Sequence, residues 1–156
     1  MYYMKKILSK SLEDTSHIAR EWLASLPKKE AKNKDEALVV GLSGNLGSGK
    51  TAFVKAVAKE FGIIESVTSP TFVIEKIYVI GSNGNWSRLV HIDAYRLESA
   101  RELEVLNFED LVEDPNNLIL IEWPENVKEI LPEGALTIKC EFVSETEREY
   151  TFLATM

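Results

Sequence analysis

The 156-residue sequence contains a single cysteine, Cys140, and has no long hydrophobic run. One cysteine excludes an internal disulfide framework and a cysteine-rich zinc site. No apolar stretch approaches the roughly 20 residues that span a bilayer, and the opening stretch Met1–Arg20 lacks the apolar core of a signal peptide. A chain of this size buries enough surface to fold without a disulfide or a metal. We therefore expect one cytoplasmic domain over residues 1–156 that makes no membrane contact.

Basic residues are scarce in the second part of the chain. Residues 1–60 carry 11 lysines and arginines against 7 acidic residues, whereas residues 61–156 carry 7 against 18, so the net charges are +4 and −11. Proteins that bind nucleic acid unaided concentrate basic residues on one face, because neutralising phosphates supplies most of the non-specific affinity. The acidic part argues against autonomous nucleic-acid binding, although it leaves room for action through a basic partner.

Hydrophobic periodicity predicts an α/β fold with a mixed central sheet flanked by helices. The polar run Pro27–Glu36 predicts a solvated connection, with a nucleic-acid contact by its basic residues 28–34 as the less favoured alternative. In chain order, the predicted elements are a helix over Ser11–Leu26, a buried strand over Ala37–Gly44, a helix over Ala52–Phe61 that ends at Gly62, an antiparallel hairpin from Thr71–Ile80 and Trp86–Ile92, a helix over Glu98–Val112, a buried strand over Leu118–Ile121, and a closing hairpin from Ala135–Val143 and Glu149–Leu153.

The motif that carries chemistry is GNLGSGKT, Gly44–Thr51, which matches the phosphate-binding pattern G-x-x-x-x-G-K-[ST] at every defined position. Glycines let such a loop curl until its N–H groups form an anion site at the start of the next helix. Lys50 would reach the β- and γ-phosphates and Thr51 would ligate Mg²⁺. The alternative is a glycine-rich turn with a chance lysine, which the flanking strand and helix disfavour. The predicted nucleotide-binding residues are Gly44, Asn45, Leu46, Gly47, Ser48, Gly49, Lys50 and Thr51.

A phosphate-binding loop needs an acidic partner at the end of a neighbouring strand, and the sequence offers two. Asp93 ends the run LVHID, and Glu122 ends the run LILIE. Open α/β sheets bind ligands beyond the carboxyl ends of their strands, so either residue is suitably placed. The spacing does not choose between them, and for each the alternative is a solvated acid at a strand end.

Three further motifs accompany the phosphate-binding loop in order along the chain: SPTF at residues 69–72, HIDAYRL at 91–97 and IEWPE at 121–125. With these motifs the chain resembles the TsaE family, formerly called YjeE, over nearly its whole length. Members are small bacterial P-loop ATPases required to make threonylcarbamoyladenosine beside the anticodon of tRNAs that read codons beginning with A. The resemblance implies a P-loop NTPase fold and the cofactors ATP and Mg²⁺.

The resemblance also implies roles for individual residues. The loop Leu46–Thr51 would bind the nucleotide, and Thr51 with Glu122 would hold Mg²⁺. Asp93 would be an acid needed for hydrolysis, either by orienting water or by sensing the γ-phosphate. Thr71 would act as a switch-type threonine that senses the γ-phosphate. Together with Lys50 these residues form the predicted catalytic set.

For several other positions the sequence leaves alternative roles open. Trp123 covers either the nucleotide or a partner surface, or it packs in the core. His91 lies in a predicted strand, where a histidine is more often packed or surface-facing than catalytic. Arg148 could approach the adenine or the phosphates, and the adenine side is expected near Leu12 and Thr15.

The resemblance implies an ATPase that is slow alone and acts with the TsaD–TsaB complex, contacting tRNA indirectly or weakly and transferring no threonylcarbamoyl group itself. Two alternatives remain: a small-molecule kinase, and a nucleotide-gated binding module without useful turnover. The 156 residues leave little room for the acceptor pocket and arginine-bearing lid that a kinase needs. No guanine-reading N-K-x-D string occurs, which favours ATP over GTP.

Overall fold

A mixed β-sheet with helices on both faces forms the centre of the structure, a computed structural model that describes residues 2–26, 35–63, 74–81 and 85–155. Within this part of the chain, the strands are β1 Tyr2–Ser9, β2 Leu38–Ser43, β3 Glu75–Val79, β4 Arg88–Asp93, β5 Asn117–Glu122, β6 Leu136–Phe142 and β7 Arg148–Thr155. The helical elements are α1 Leu12–Ser25, α2 Lys50–Glu60, α3 Ala100–Glu104, α4 Phe108–Val112 and a 3₁₀ segment at Pro124–Ile130. None of the helices described is long and apolar enough to cross a membrane.

The strands lie in the order β1-β7-β6-β2-β5-β4-β3. Strands β6, β2, β5 and β4 are parallel neighbours, whereas β1–β7, β7–β6 and β4–β3 pair antiparallel. All six residues of β5 are buried, as expected for a central parallel strand covered on both faces. The predicted α/β fold with a mixed sheet is confirmed, and the strands of both predicted hairpins pair antiparallel.

Alternate side chains of the central strands enter two separate cores on opposite faces of the sheet. In β5, Leu118 and Leu120 pack in the core that contains α1 and α2, whereas Ile119 and Ile121 pack with α3, α4 and the 3₁₀ segment. Because helices cover both faces, a ligand reaches the parallel strands most readily at their carboxyl ends.

The two long helices begin and end close to where the sequence predicts. Ser11 caps α1, since its Oγ accepts the backbone N–H of Asp14 at 3.0 Å. Helix α2 begins at Lys50, two residues before the predicted start at Ala52, and Gly62 follows its end with a φ of 75°.

The predicted single helix over Glu98–Val112 is wrong, because a turn separates α3 from α4. Asn107 adopts a φ of 61° in this turn, a left-handed conformation that asparagine tolerates better than most residues. The turn brings both Leu103 and Phe108 into the core. Leu106, one of the leucines at helical spacing in the predicted helix, is instead 37% exposed.

The sequence pattern does not predict β1. Its eight residues pair along their whole length with β7, from Tyr2 opposite Thr155 to Ser9 opposite Arg148. The partner strand lies at the other end of the sequence, so no local turn signals the pairing. The predicted connection Pro27–Glu36 lies mostly outside the described residues.

Candidate nucleotide-binding site

The predicted phosphate-binding loop, Gly44–Thr51, connects the end of β2 to α2 and has the curled backbone that its glycines suggest. Gly44 and Gly49 have φ values of 153° and 102°, which side-chain-bearing residues rarely adopt. A Cβ atom at Gly49 would lie 2.6 Å from Tyr150 Oη, and one at Gly44 would overlap the carbonyl oxygen of Cys140. The loop is therefore packed against the closing hairpin at both glycines.

The amino-terminal end of α2 faces the same region. Gly49 is the N-cap of this helix and has no side chain with which to cap it, and the first turn of the helix contains no acidic residue. The first backbone N–H groups of a helix lack intrahelical acceptors, and the helix dipole makes this end attractive to anions. The end of α2 is thus suited to bind a phosphate.

Lys50 lies folded back over the loop. Its Nζ donates to the carbonyl oxygens of Gly44 at 2.5 Å and Asn45 at 2.9 Å, and it lies 4.3 Å from the centre of the Trp123 ring. Burial lowers the pKa of Lys50, and the nearby negative charge of Glu122 opposes this shift. A phosphate placed beside this desolvated ammonium group would favour its charged form.

Thr51 and Glu122 are in direct contact across the sheet edge. The Thr51 Oγ1 hydroxyl donates to Glu122 Oε1 at 2.9 Å, although the two residues are 71 positions apart. Glu122 ends β5, which neighbours the β2 strand that leads into the loop. The structure thus brings the two residues predicted to hold Mg²⁺ within hydrogen-bonding distance of each other.

Asp93 lies at the same edge. It ends β4 directly opposite Glu122 in the parallel register, and its Oδ1 accepts the backbone N–H of Tyr95 at 3.0 Å. The carboxylates of Asp93 and Glu122 line the same cavity. Their chemical roles stay predictions.

The oxygen atoms at this edge fit Mg²⁺ bound together with a nucleotide. Among the described residues, no group of three or more histidine, cysteine, aspartate or glutamate side chains could hold a metal ion by itself. Mg²⁺ in nucleotide sites takes only one or two protein oxygens and completes its shell with phosphates and water. The Thr51 hydroxyl and the Glu122 carboxylate supply such a pair.

A cavity of about 780 Å³ contains these groups, a size within the usual range for small-molecule sites. It extends from the loop to the start of α1 and to the turn between β6 and β7. Of the residues expected on the adenine side, Leu12 and Thr15 line it, and so does Arg148. The other lining residues are Ser9, Lys10, Ser11, Leu46, Gly47, Ser48, Gly49, Lys50, Thr51, Ala52, Asp93, Tyr95, Glu122, Trp123, Glu145, Thr146 and Tyr150.

Trp123 lines the cavity and packs against one of the two cores, and its covering of a nucleotide or a partner surface stays a prediction. The centre of its ring lies 4.3 Å from Lys50 Nζ and 5.1 Å from the centre of the Tyr95 ring. Its backbone has a φ of 60°, which turns the chain directly after Glu122. Thr71, the predicted switch residue, lies outside the described residues.

Two residues that the sequence did not mark as functional support the site. His91 is fully buried, and its Nε2 lies 2.6 Å from Glu122 Oε2. Tyr150 donates its hydroxyl hydrogen to the Gly49 carbonyl oxygen at 3.0 Å. A signal existed for His91, because positions 91 and 93 of one strand share a face. No nearby sequence motif indicated a role for Tyr150, because its partner Gly49 lies 101 positions away.

The comparisons with known proteins agree with this geometry. A family model described as "Threonylcarbamoyl adenosine biosynthesis protein TsaE" matches residues 9–150. Two curated relatives bear the name "tRNA threonylcarbamoyladenosine biosynthesis protein TsaE". The one from Treponema pallidum is 38% identical over 117 residues, covering 75% of this chain and 82% of the relative. The one from Bacillus subtilis is 38% identical over 132 residues, covering 85% of this chain and 77% of the relative.

A solved structure supports the same assignment. The crystal structure of Bacillus subtilis YdiB matches with a TM-score of 0.74 at 29% sequence identity, covering 100% of this chain and 88% of that one. The mixed seven-stranded sheet of the described residues, with its flanking helices, is the P-loop NTPase fold. From the family match over residues 9–150 and these relatives, we conclude that the chain belongs to the TsaE family.

Proposed function

We propose that the protein is the ATPase component of tRNA threonylcarbamoyladenosine biosynthesis. It binds ATP with Mg²⁺, hydrolyses it slowly, and so supports repeated turnover by the TsaD–TsaB complex. The observation that carries the proposal is the 2.9 Å bond between Thr51 and Glu122, because it joins a phosphate-binding loop to a strand-end carboxylate inside one cavity. Family membership supports the part that concerns tRNA modification.

The loop and Lys50 bind the phosphates. The N–H groups at the start of α2 point their positive ends towards the cavity. When ATP binds, Lys50 exchanges its hydrogen bonds to the carbonyl oxygens of Gly44 and Asn45 for hydrogen bonds to phosphate oxygens. Because its ammonium group is desolvated by burial, these bonds to negatively charged oxygens are stronger than those to the neutral carbonyl oxygens.

Thr51 and Glu122 hold Mg²⁺, which when bound neutralises the charge that develops on the phosphate oxygens. Asp93, at the neighbouring strand end, orients the attacking water or senses the γ-phosphate. Thr71 acts as the switch that responds to the γ-phosphate. Arg148 lines the cavity, but its guanidinium donates to the carbonyl oxygens of Ser144 and Glu147, so we expect slow hydrolysis in the isolated protein.

The partner supplies the contact with tRNA. Residues 61–156 carry a net charge of 7 − 18 = −11, which disfavours direct binding of a polyanion. This part of the chain faces the TsaD–TsaB complex, and tRNA is contacted indirectly or weakly. The proposed location is the cytoplasm.

Release of free phosphate from ATP tests the enzymatic part of the proposal. We expect Lys50→Ala to lower the rate by on the order of a hundredfold, the scale seen when one electrostatic group is removed from an active site. Lys55→Ala is the matched control, because Lys55 is an exposed lysine of the same helix that does not line the cavity. Equal rates for wild type and Lys50→Ala would contradict the proposal, and phosphate transferred to an added metabolite would indicate a kinase.

A further inference from the structure

His91 is a fully buried polar residue in the middle of β4, one strand away from Glu122. Its Nε2 and Glu122 Oε2 are 2.6 Å apart. A carboxylate can only accept hydrogen bonds, so Nε2 carries the hydrogen and donates it. The other ring nitrogen, Nδ1, is buried and has no hydrogen-bond partner among the described residues. Of the hydrogen bonds that the described residues make to the ring, the bond to Glu122 is therefore the one that fixes its orientation.

The two oxygen atoms of Glu122 therefore have separate donors. Oε1 accepts from the Thr51 hydroxyl, and Oε2 accepts from His91. The terminal torsion of a glutamate side chain has a broad energy profile, so one bond alone orients a carboxylate weakly. Two donors, one from the first turn of α2 and one from β4, fix its plane, and Oε1 is the atom that accepts from Thr51.

We infer that His91 is a positioning residue that orients the Glu122 carboxylate for the divalent cation; this rests on the proposed function, in which Glu122 and Thr51 hold Mg²⁺. Groups that hydrogen-bond to metal ligands typically change metal affinity tenfold to a hundredfold when they are removed. His91 does not line the cavity. Its effect passes through the orientation of one carboxylate.

Substitutions that keep or remove the donor separate positioning from packing. Glutamine carries an amide N–H₂ at about the place of Nε2, whereas methionine has a similar length and no donor. We expect His91→Met to weaken Mn²⁺ binding to the complex with AMP-PNP by roughly tenfold or more, and His91→Gln to restore most of this loss. Binding of AMP-PNP without a divalent cation should be the same in all three proteins.

The measurement is a titration of free Mn²⁺ by electron paramagnetic resonance, with each variant saturated with AMP-PNP. Thermal unfolding without nucleotide checks that each variant is folded. If His91→Met does not fold, His91→Asn replaces it, because the shorter amide does not reach Oε2. The inference is wrong if the variant without a donor, His91→Met or its replacement His91→Asn, binds Mn²⁺ as tightly as wild type does. It is also wrong if His91→Gln loses as much Mn²⁺ affinity as the variant without a donor.

Glu122→Gln distinguishes failure of the inference from failure of the proposed function. If Glu122→Gln weakens Mn²⁺ binding but His91→Met does not, the inference alone is wrong. If neither weakens it, the cation role of Glu122 fails and the inference fails with it. Combining His91→Met with Glu122→Gln should add no further loss, since the histidine acts only through this carboxylate.

Discussion

Glu122 and Asp93 end neighbouring parallel strands at the same register position, yet their surroundings differ. Glu122 is 3% exposed, and its two oxygens accept from Thr51 and His91. Asp93 is half-buried, and its Oδ1 accepts a backbone N–H from the turn that follows its strand. A carboxylate fixed by two side-chain donors suits a cation, whereas one closer to solvent suits contact with water.

The same difference continues around the cavity. On the side of Glu122, Tyr150 is fully buried and bonded to the phosphate-binding loop. On the side of Asp93, Tyr95 is 45% exposed. The buried side of the cavity, at Glu122 and Tyr150, is thus less exposed than its open side, at Asp93 and Tyr95.

The largest expected effect comes from Glu122→Gln. An amide carries no negative charge, and we expect ATP turnover at saturating Mg²⁺ to fall by on the order of a hundredfold. Mn²⁺ binding to the AMP-PNP complex should weaken in the same variant. Phosphate release and Mn²⁺ titration measure the two effects. Unchanged Mn²⁺ binding in Glu122→Gln would contradict the assignment of cation binding to Glu122 and not to Asp93.

Asp93→Asn should separate turnover from cation binding. We expect turnover to fall by about a hundredfold, because an acid that orients water contributes on this scale. Mn²⁺ and AMP-PNP should bind as tightly as they do to wild type. Asp110→Asn serves as the control, since Asp110 is exposed and does not line the cavity. Loss of Mn²⁺ affinity in Asp93→Asn would place both carboxylates in the same role.

The buried side should lose stability at alkaline pH. Burial raises the pKa of Tyr150 from 10.0 to about 12, so its contribution to stability is complete below pH 10 and is lost as pH rises towards 12. The loss should be on the order of 2 kcal/mol and absent in Tyr150→Phe. Cys140, whose pKa burial raises from 9.0 to about 12, adds a loss that begins near pH 9 and remains in that variant. Urea unfolding at a series of pH values measures both.

At neutral pH, Tyr150→Phe should lower the free energy of unfolding by about 1 kcal/mol, because the Gly49 carbonyl oxygen loses its donor. AMP-PNP binding should weaken as the loop becomes less fixed. The exposed counterpart Tyr95→Phe should change stability by less than about 0.5 kcal/mol. Urea unfolding of the two variants measures both changes in the free energy of unfolding. Equal changes would show that the hydroxyl groups on the two sides of the cavity contribute equally to stability.

Local patterns were sufficient to predict the loop and the strand-end carboxylates. The glycine spacing of Gly44–Thr51 and the apolar runs before Asp93 and Glu122 are short-range signals, and the parallel register then brings the strand ends together. The helix α1 and its cap at Ser11 were predictable for the same reason.

Contacts that depend on tertiary packing were not predictable from the sequence. His91 meets Glu122 across 31 positions, and β1 pairs with a strand at the far end of the chain. The break at Asn107 lets Phe108 be buried as well as Leu103, and the continuous helix pattern did not indicate burial of Phe108. For His91 and β1, the deciding partner lies outside the window in which periodicity is visible.

Multiple-turnover threonylcarbamoylation of tRNA measures directly whether the phosphate-binding loop of this protein supports repeated rounds of tRNA modification. TsaD and TsaB are supplied with threonylcarbamoyl-adenylate and with this protein, either as wild type or as Lys50→Ala, while free phosphate is followed in parallel. We expect wild type to sustain repeated rounds with phosphate release and Lys50→Ala to permit at most a single round. If neither protein changes the yield of modified tRNA, the proposed role in tRNA modification is contradicted.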